Sequence, residues 1–223
     1  MLTPPAVAYA FLLGLASGTA GLALSAYRRV TPRWLKWMLI ATALWIISQY
    51  VAMAILIYSD APLRAWGWRL CWQATLIGLS LPAAFAVDRL LRHPAMTPSK
   101  LLRWLAPWLL PAGCTVLFGQ LSQTMDPVAG SRFVLSGGWW FLGTALQLVF
   151  LIGLVGMGAW VIRKVPDASI RSRIMALTAA YVAWTICTLA DGLGAGDVRL
   201  LLLSEILVLG TLWYAYDPAP SAS

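Results

Sequence analysis

Seven apolar stretches, each close to the twenty residues a helix needs to cross about 30 Å of hydrocarbon, take up nearly all of this chain. They run at about Pro5 to Tyr27, Trp34 to Tyr58, Leu63 to Leu91, Leu101 to Gly119, Gly138 to Val165, Ser169 to Asp191 and Val198 to Tyr216. In lipid every backbone N–H and C=O must be satisfied internally, and these runs lack the in/out alternation of barrel strands. The predicted fold is an all-α integral membrane protein with seven transmembrane helices over residues 1–216 and a short cytoplasmic tail, 217–223. Of 223 residues, 61% are hydrophobic and 11% charged, more apolar surface than a soluble domain of this size could hide. The first run is too long for a cleavable signal, and no positive side chain precedes it, so it counts as a span.

Breaks between the stretches have chemical causes. Pro32 and Pro94 sit in connections and Pro166 ends the fifth span, since proline removes an N–H and restricts the residue before it. Gly192, Gly194 and Gly196 release the sixth span, and Asp197 is placed to cap the seventh. Pro82, Pro107 and Pro111 fall inside the third and fourth spans and should bend them. A fairly long loop is expected between the fourth and fifth.

Charge placement predicts the orientation. Connections after spans one, three and five hold Arg28, Arg29, Arg33, Lys36, Arg89, Arg92, Lys100, Arg103, Arg163, Lys164, Arg171 and Arg173. The alternate connections hold only Arg64, Arg69, Arg132 and Arg199, so twelve cations face four. This positive-inside pattern sets the amino terminus outside and the carboxy terminus in the cytoplasm, in a multi-pass protein of the cell's inner (plasma) membrane. The net charge of +8 then reads as topology plus attraction to membrane lipids, with no nucleic acid as partner.

Glu205 is the residue around which a site would be built. A carboxylate in hydrocarbon costs roughly 2.5–3.5 kcal/mol, so it needs protein, water, a proton or a cation such as Arg69. Counted from the outer helix end, Glu205 lies about 10 Å deep. Gln73 lies at a similar depth, Gln147 somewhat deeper, Trp184 and Thr185 approach from below, and Asp191 and Arg69 sit at the rim. Polar groups thus gather in the outer halves of the spans, as in an apolar-walled ligand pocket. The expected ligand-binding set is Glu205, Gln73, Gln147, Trp184, Arg69 and Asp191. The blander reading of Gln, Thr and Cys in spans is hydrogen bonding across helices, at about 0.6 kcal/mol each.

Other features count for less. Cys71 and Cys114 fall at matching depth, but buried free thiols are the simpler expectation. His93 reads as a solvated loop residue, and Ala10, Gly14 and Gly18 as a small-residue seam for helix packing. Trp66, Trp68, Trp139 and Trp140 form an expected outer aromatic belt, and Trp34, Trp37, Trp104 and Trp160 an inner one. No catalytic motif, metal-ligand spacing or phosphate loop is present, and no lysine falls in the last span for a retinal Schiff base. The chain is therefore expected to be no enzyme and to carry no cofactor or metal.

Trp45 in LWIISQY, Pro82 in mid-span, the GGWWF stretch from Gly137 to Phe141 and the IRSR loop before the sixth span carry a resemblance. The chain resembles the seven-helix amino-terminal sensor region of bacterial histidine kinases. That resemblance implies a receptor-like sensor which binds a small-molecule or lipid ligand on its outer side and signals to a partner. Two departures stand out: VAMAILI occupies the place of an acidic residue often found late in the family's second span, and no kinase, PAS or cyclase sequence follows Tyr216. The effector would then be a separate signalling or complex-forming protein. The alternatives are a non-catalytic subunit of a larger membrane complex and a small transporter.

Overall fold

The computed structural model describes residues 11, 14, 17, 79–84, 86–88, 90–91, 97–126, 130–195 and 198–216. Arg69, Cys71, Gln73, His93, Asp197 and the tail 217–223 lie outside them, as do all of the second span and most of the first and third. Besides the isolated helical positions Phe11, Gly14 and Ser17, the described residues form five helices and one hairpin. They are α1 (Leu79–Asp88), α2 (Pro98–Phe118), β1 (Leu121–Asp126), β2 (Gly130–Leu135), α3 (Gly138–Lys164), α4 (Ala168–Gly192) and α5 (Val198–Tyr216). Two of them, α3 and α4, are long and apolar enough to cross a membrane.

Helix starts follow from local chemistry. Thr97 is extended and accepts a hydrogen bond from the Lys100 N–H at 3.4 Å, with Pro98 in the first turn, so α2 begins three residues before the apolar run does. Only Val165, Pro166 and Asp167 separate α3 from α4. The Asp167 carboxylate accepts from the N–H groups of Ser169 at 2.8 Å and Ile170 at 3.3 Å, and so caps α4. Arg171 and Arg173 therefore sit within the helix rather than in a connection. At its other end α4 closes through Gly194, whose φ of 74° needs no Cβ to be avoided, with Gly194 N–H donating to the Asp191 carbonyl.

The stretch expected as a loop between the fourth and fifth spans is a β-hairpin, the departure from an all-α fold among the described residues. β1 and β2 pair antiparallel with Leu121 opposite Leu135 and Asp126 opposite Gly130. Thr124, Phe133 and Val134 favour extended backbone, but polar residues among them hide the period-two pattern. The hairpin stands directly on α3: a Cβ on Gly143 would meet Leu135 at 3.2 Å.

The three carboxy-terminal helices zigzag and pack side by side. Buried positions recur at helical spacing on one face of each: Leu146, Leu154 and Val161 on α3, Ile174, Leu177 and Tyr181 on α4, Val208, Leu209 and Leu212 on α5. Leu79, Ala83, Ala86 and Val87 of α1 and Leu101 of α2 join the same core. A second cluster, Trp108, Ala112 and Leu146, lies between α2 and α3, and Phe150 touches both clusters. The opposite faces remain apolar and exposed, with Leu148, Val149 and Ile152 on α3 and Leu203 and Leu207 on α5. Trp104 and Trp160 are exposed as well, as belt residues would be.

Close approach fixes one helix crossing. The Trp140 indole lies against Gly192, where a Cβ would come within 2.8 Å of Cε2 and 3.0 Å of Cζ2. Any larger residue at 192 must push away the ring that joins the hairpin end of α3 to α4.

Candidate functional site

The antiparallel α4–α5 pair supplies a ruler. At the end remote from the hairpin, Ser172 Oγ and Tyr214 OH lie 3.1 Å apart, and the Arg173 guanidinium carbon sits 5.1 Å from the Tyr214 ring centroid. Nine residues along each helix from that clasp, about 13 Å, bring Glu205 level with Tyr181. On the α3 side, Phe150 meets Tyr181 with ring centroids 5.5 Å apart. Three residues nearer the hairpin, Gln147 is then level with Trp184 and Thr185, about one turn from Glu205.

The structure therefore brings Gln147 and Trp184 to one level and sets Glu205 close below. Gln147 is 5% exposed, Trp184 is buried and Glu205 is 7% exposed. Gln147 lies nearer the hairpin end than Glu205, the reverse of the depth order read from sequence. The reason is that α5 starts at Val198, level with Thr188 and so lower than the end of α4 at Gly192, and counting from helix ends misaligns the two. Asp191 belongs to the hairpin end, about 9 Å from Trp184–Thr185, and is 4% exposed, so it is buried rather than on an open rim. Neither Asp191 nor Glu205 is without an interaction partner. Arg69 and Gln73 lie outside the described residues.

Most buried hydroxyls here are satisfied within their own helices. Thr115 donates to the Pro111 carbonyl at 2.9 Å, Thr185 to Tyr181 at 2.8 Å, Thr188 to Trp184 at 2.8 Å and Ser204 to Leu201 at 2.6 Å. These are back-bonds to the preceding turn, which cost the helix little and recruit no ligand. The expectation that such residues bond across helices is replaced by this local solution. Cys114 is a free thiol on an exposed face, not a buried one, and Cys187 is free and half-buried.

Among the described residues four buried side-chain atoms have no hydrogen-bond partner: Ser80 Oγ, Gln147 Nε2, Arg173 Nε and Asp191 Oδ2. Arg173 and Asp191 have other interactions, which leaves Gln147 Nε2 and Ser80 Oγ, both in residues more than nine-tenths buried, as the two unmet atoms. An unmet buried donor costs about 1–3 kcal/mol, so each marks a place where something else can bind.

No family model matches the chain, and no curated protein matches it.

Between these two atoms runs an aromatic series that the sequence did not announce. Trp108 of α2 packs against Phe150 of α3 at 5.5 Å, Phe150 against Tyr181 of α4 at 5.5 Å, and Tyr181 edge-on against Trp184 at 5.6 Å. Two of the polar tips anchor a neighbouring helix. Trp108 Nε1 donates to the Leu146 carbonyl at 2.8 Å, and the Tyr181 hydroxyl donates to the Leu79 carbonyl of α1. Ser80 is the residue after that acceptor, and Gln147 follows the other. Four aromatic rings thus tie four helices together, with one unmet polar atom beside each anchoring bond. Trp108, Phe150 and Tyr181 were passed over in the sequence, because aromatics at helical spacing are ordinary core residues until their partners are known.

Proposed function

We propose that this chain is a receptor-like membrane sensor that binds a small or lipophilic ligand among its helices and passes a shift of α4 and α5 to a partner protein. The observation that carries this reading is Gln147: an amide with unmet hydrogen-bonding capacity, in a wall otherwise made of apolar and aromatic side chains, on the level of Trp184 and one turn from a buried carboxyl. Ligand sites combine an apolar lining with a few converging polar groups in this way. A second observation supports the signalling half. Ligand contact at Trp184 or Glu205 acts on helices whose far ends are clasped through Ser172, Arg173 and Tyr214. Next to that clasp lie the exposed cations Arg163 and Lys164, a basic surface suited to an acidic partner face. A ligand shifts such a pair only by its difference in affinity for two arrangements.

In this reading the chain spans the inner membrane seven times, with the hairpin end outside. A reporter active only in the cytoplasm is expected to work when fused after Arg92 and after Ser223, and to fail at the amino terminus or after Arg132. Activity after Arg132, in the hairpin, would refute the seven-span topology.

Access is tested separately. In a background without the native cysteines, Gln147→Cys and Trp184→Cys are expected to react with a small membrane-impermeant thiol reagent added from outside, while Leu177→Cys in the tight core stays protected. Equal protection of all three would mean that the site has no aqueous opening. A subunit or transporter reading would instead be favoured if purification in mild detergent brought down a cofactor-bearing partner, or if vesicles holding the pure chain accumulated solute.

A further inference from the structure

Resting on that reading, we infer that the interior at Gln147 receives a lipophilic molecule with a planar, aromatic-type body and a hydrogen-bond-accepting oxygen of the carbonyl class. The chemistry of the unmet group selects the oxygen. Gln147 Nε2 is a donor only, so the ligand must bring an acceptor, and a donor-only group such as an ammonium would leave it unmet. The surroundings select the body. Trp108, Phe150, Tyr181 and Trp184 offer ring faces and edges in one connected series, and flat π-systems pack against these better than branched chains do. They also argue against a charged ligand, whose desolvation a single amide could not offset.

The same place has a wall that can yield. Trp108 lies between Pro107 and Pro111 of α2. Each proline lacks the N–H that would hold the carbonyl four residues earlier, so α2 loses two ladder bonds, to the Arg103 and Pro107 carbonyls, around Trp108, whose indole bonds the carbonyl of the residue before Gln147. α2 is held here through the Trp108–Leu146 bond, the Trp108–Phe150 ring contact and the small cluster of Trp108, Ala112 and Leu146. A lipophilic molecule can enter between α2 and α3 when these contacts open. Ser80 Oγ, beside the Tyr181 anchor, offers a second polar group, a hydroxyl, to a ligand long enough to reach it.

The test uses benzophenone, a diaryl ketone that also cross-links on irradiation, against diphenylmethane, which has nearly the same shape and no carbonyl. The full chain is held in nanodiscs of phosphatidylcholine and phosphatidylglycerol, and both compounds are titrated at matched membrane concentration. Benzophenone is expected to bind about ten-fold more tightly, as one amide–carbonyl hydrogen bond would give, and to cross-link saturably to peptides holding Gln147 or Trp184. Gln147→Leu removes the unmet donor at similar volume, so it should melt no lower than the parent and bind both compounds alike. Gln147→Met serves the same purpose should the branched side chain disturb packing. Equal binding of the two compounds to the parent chain, cross-links elsewhere, or a ten-fold preference that survives Gln147→Leu and Gln147→Met would each overturn the inference. The two proposals fail separately. Thiol-reactive sites with no ketone preference leave a sensor of another ligand class, whereas ketone preference with protected cysteines leaves this site and moves its entrance to the lipid.

Discussion

Tyr181→Ala is expected to lower the stability of the bundle by about 3 kcal/mol, the low end of the range for removing a buried aromatic side chain. The low end applies because lipid is itself apolar, so part of the transfer gain that drives such burial in water is missing and packing carries the effect. Tyr181 is fully buried, touches the rings of Phe150 and Trp184, and donates to the Leu79 carbonyl. Alanine removes all three links at once and leaves a hole where α1, α3 and α4 meet. Tyr181→Phe separates the contributions, since it keeps the rings in contact and gives up only the hydroxyl, at about 1 kcal/mol. Thermal unfolding in detergent, followed by the fluorescence of the tryptophans, reads both. If alanine and phenylalanine cost the same, the hydroxyl rather than the packed ring holds α1 in place, and the aromatic series is not the structural spine described above.

Glu205→Gln is expected to cost about 3–5 kcal/mol, because removing one partner of a buried pair strands the other charge. Glu205 is nearly fully buried on α5 and has an interaction partner, and Arg69 is the cation our reading assigns to it. Adding Arg69→Met to the first substitution should restore part of the loss, since a paired charge and an apolar replacement differ far less than a paired and a widowed charge. A melting temperature that barely moves in Glu205→Gln would show instead a neutral carboxyl, whose hydrogen bonds an amide imitates. In either case a sensor should lose its ligand response with Glu205→Gln if the carboxyl, one turn from Gln147, takes part in the ligand-driven shift. Full response at full stability would remove Glu205 from the site and leave Gln147 as its centre.

The sequence by itself determined where the helices lie. The runs read as Gly138 to Val165, Ser169 to Asp191 and Val198 to Tyr216 end within a residue of α3, α4 and α5, because long apolar composition, a proline stop and glycine caps are local properties. It also singled out Gln147, Trp184, Asp191 and Glu205, all of which are buried, since polar groups in apolar helices must face protein. The hairpin was not legible, as pairing joins Leu121 to Leu135 across the chain and its alternation is weak. Nor was the fate of Arg173, counted as a loop cation but buried against Tyr214, because both the cap at Asp167 and the neighbour on α5 had to be in place first. Only the tertiary structure decided which polar atoms stay unmet. Threonine hydroxyls find the preceding turn of their own helix, a partner within reach of any helical threonine. The Gln147 amide has no such local partner, so its bond depends on what the neighbouring helices bring to its level, where Trp184 of α4 stands and Trp108 of α2 already occupies the adjacent Leu146 carbonyl.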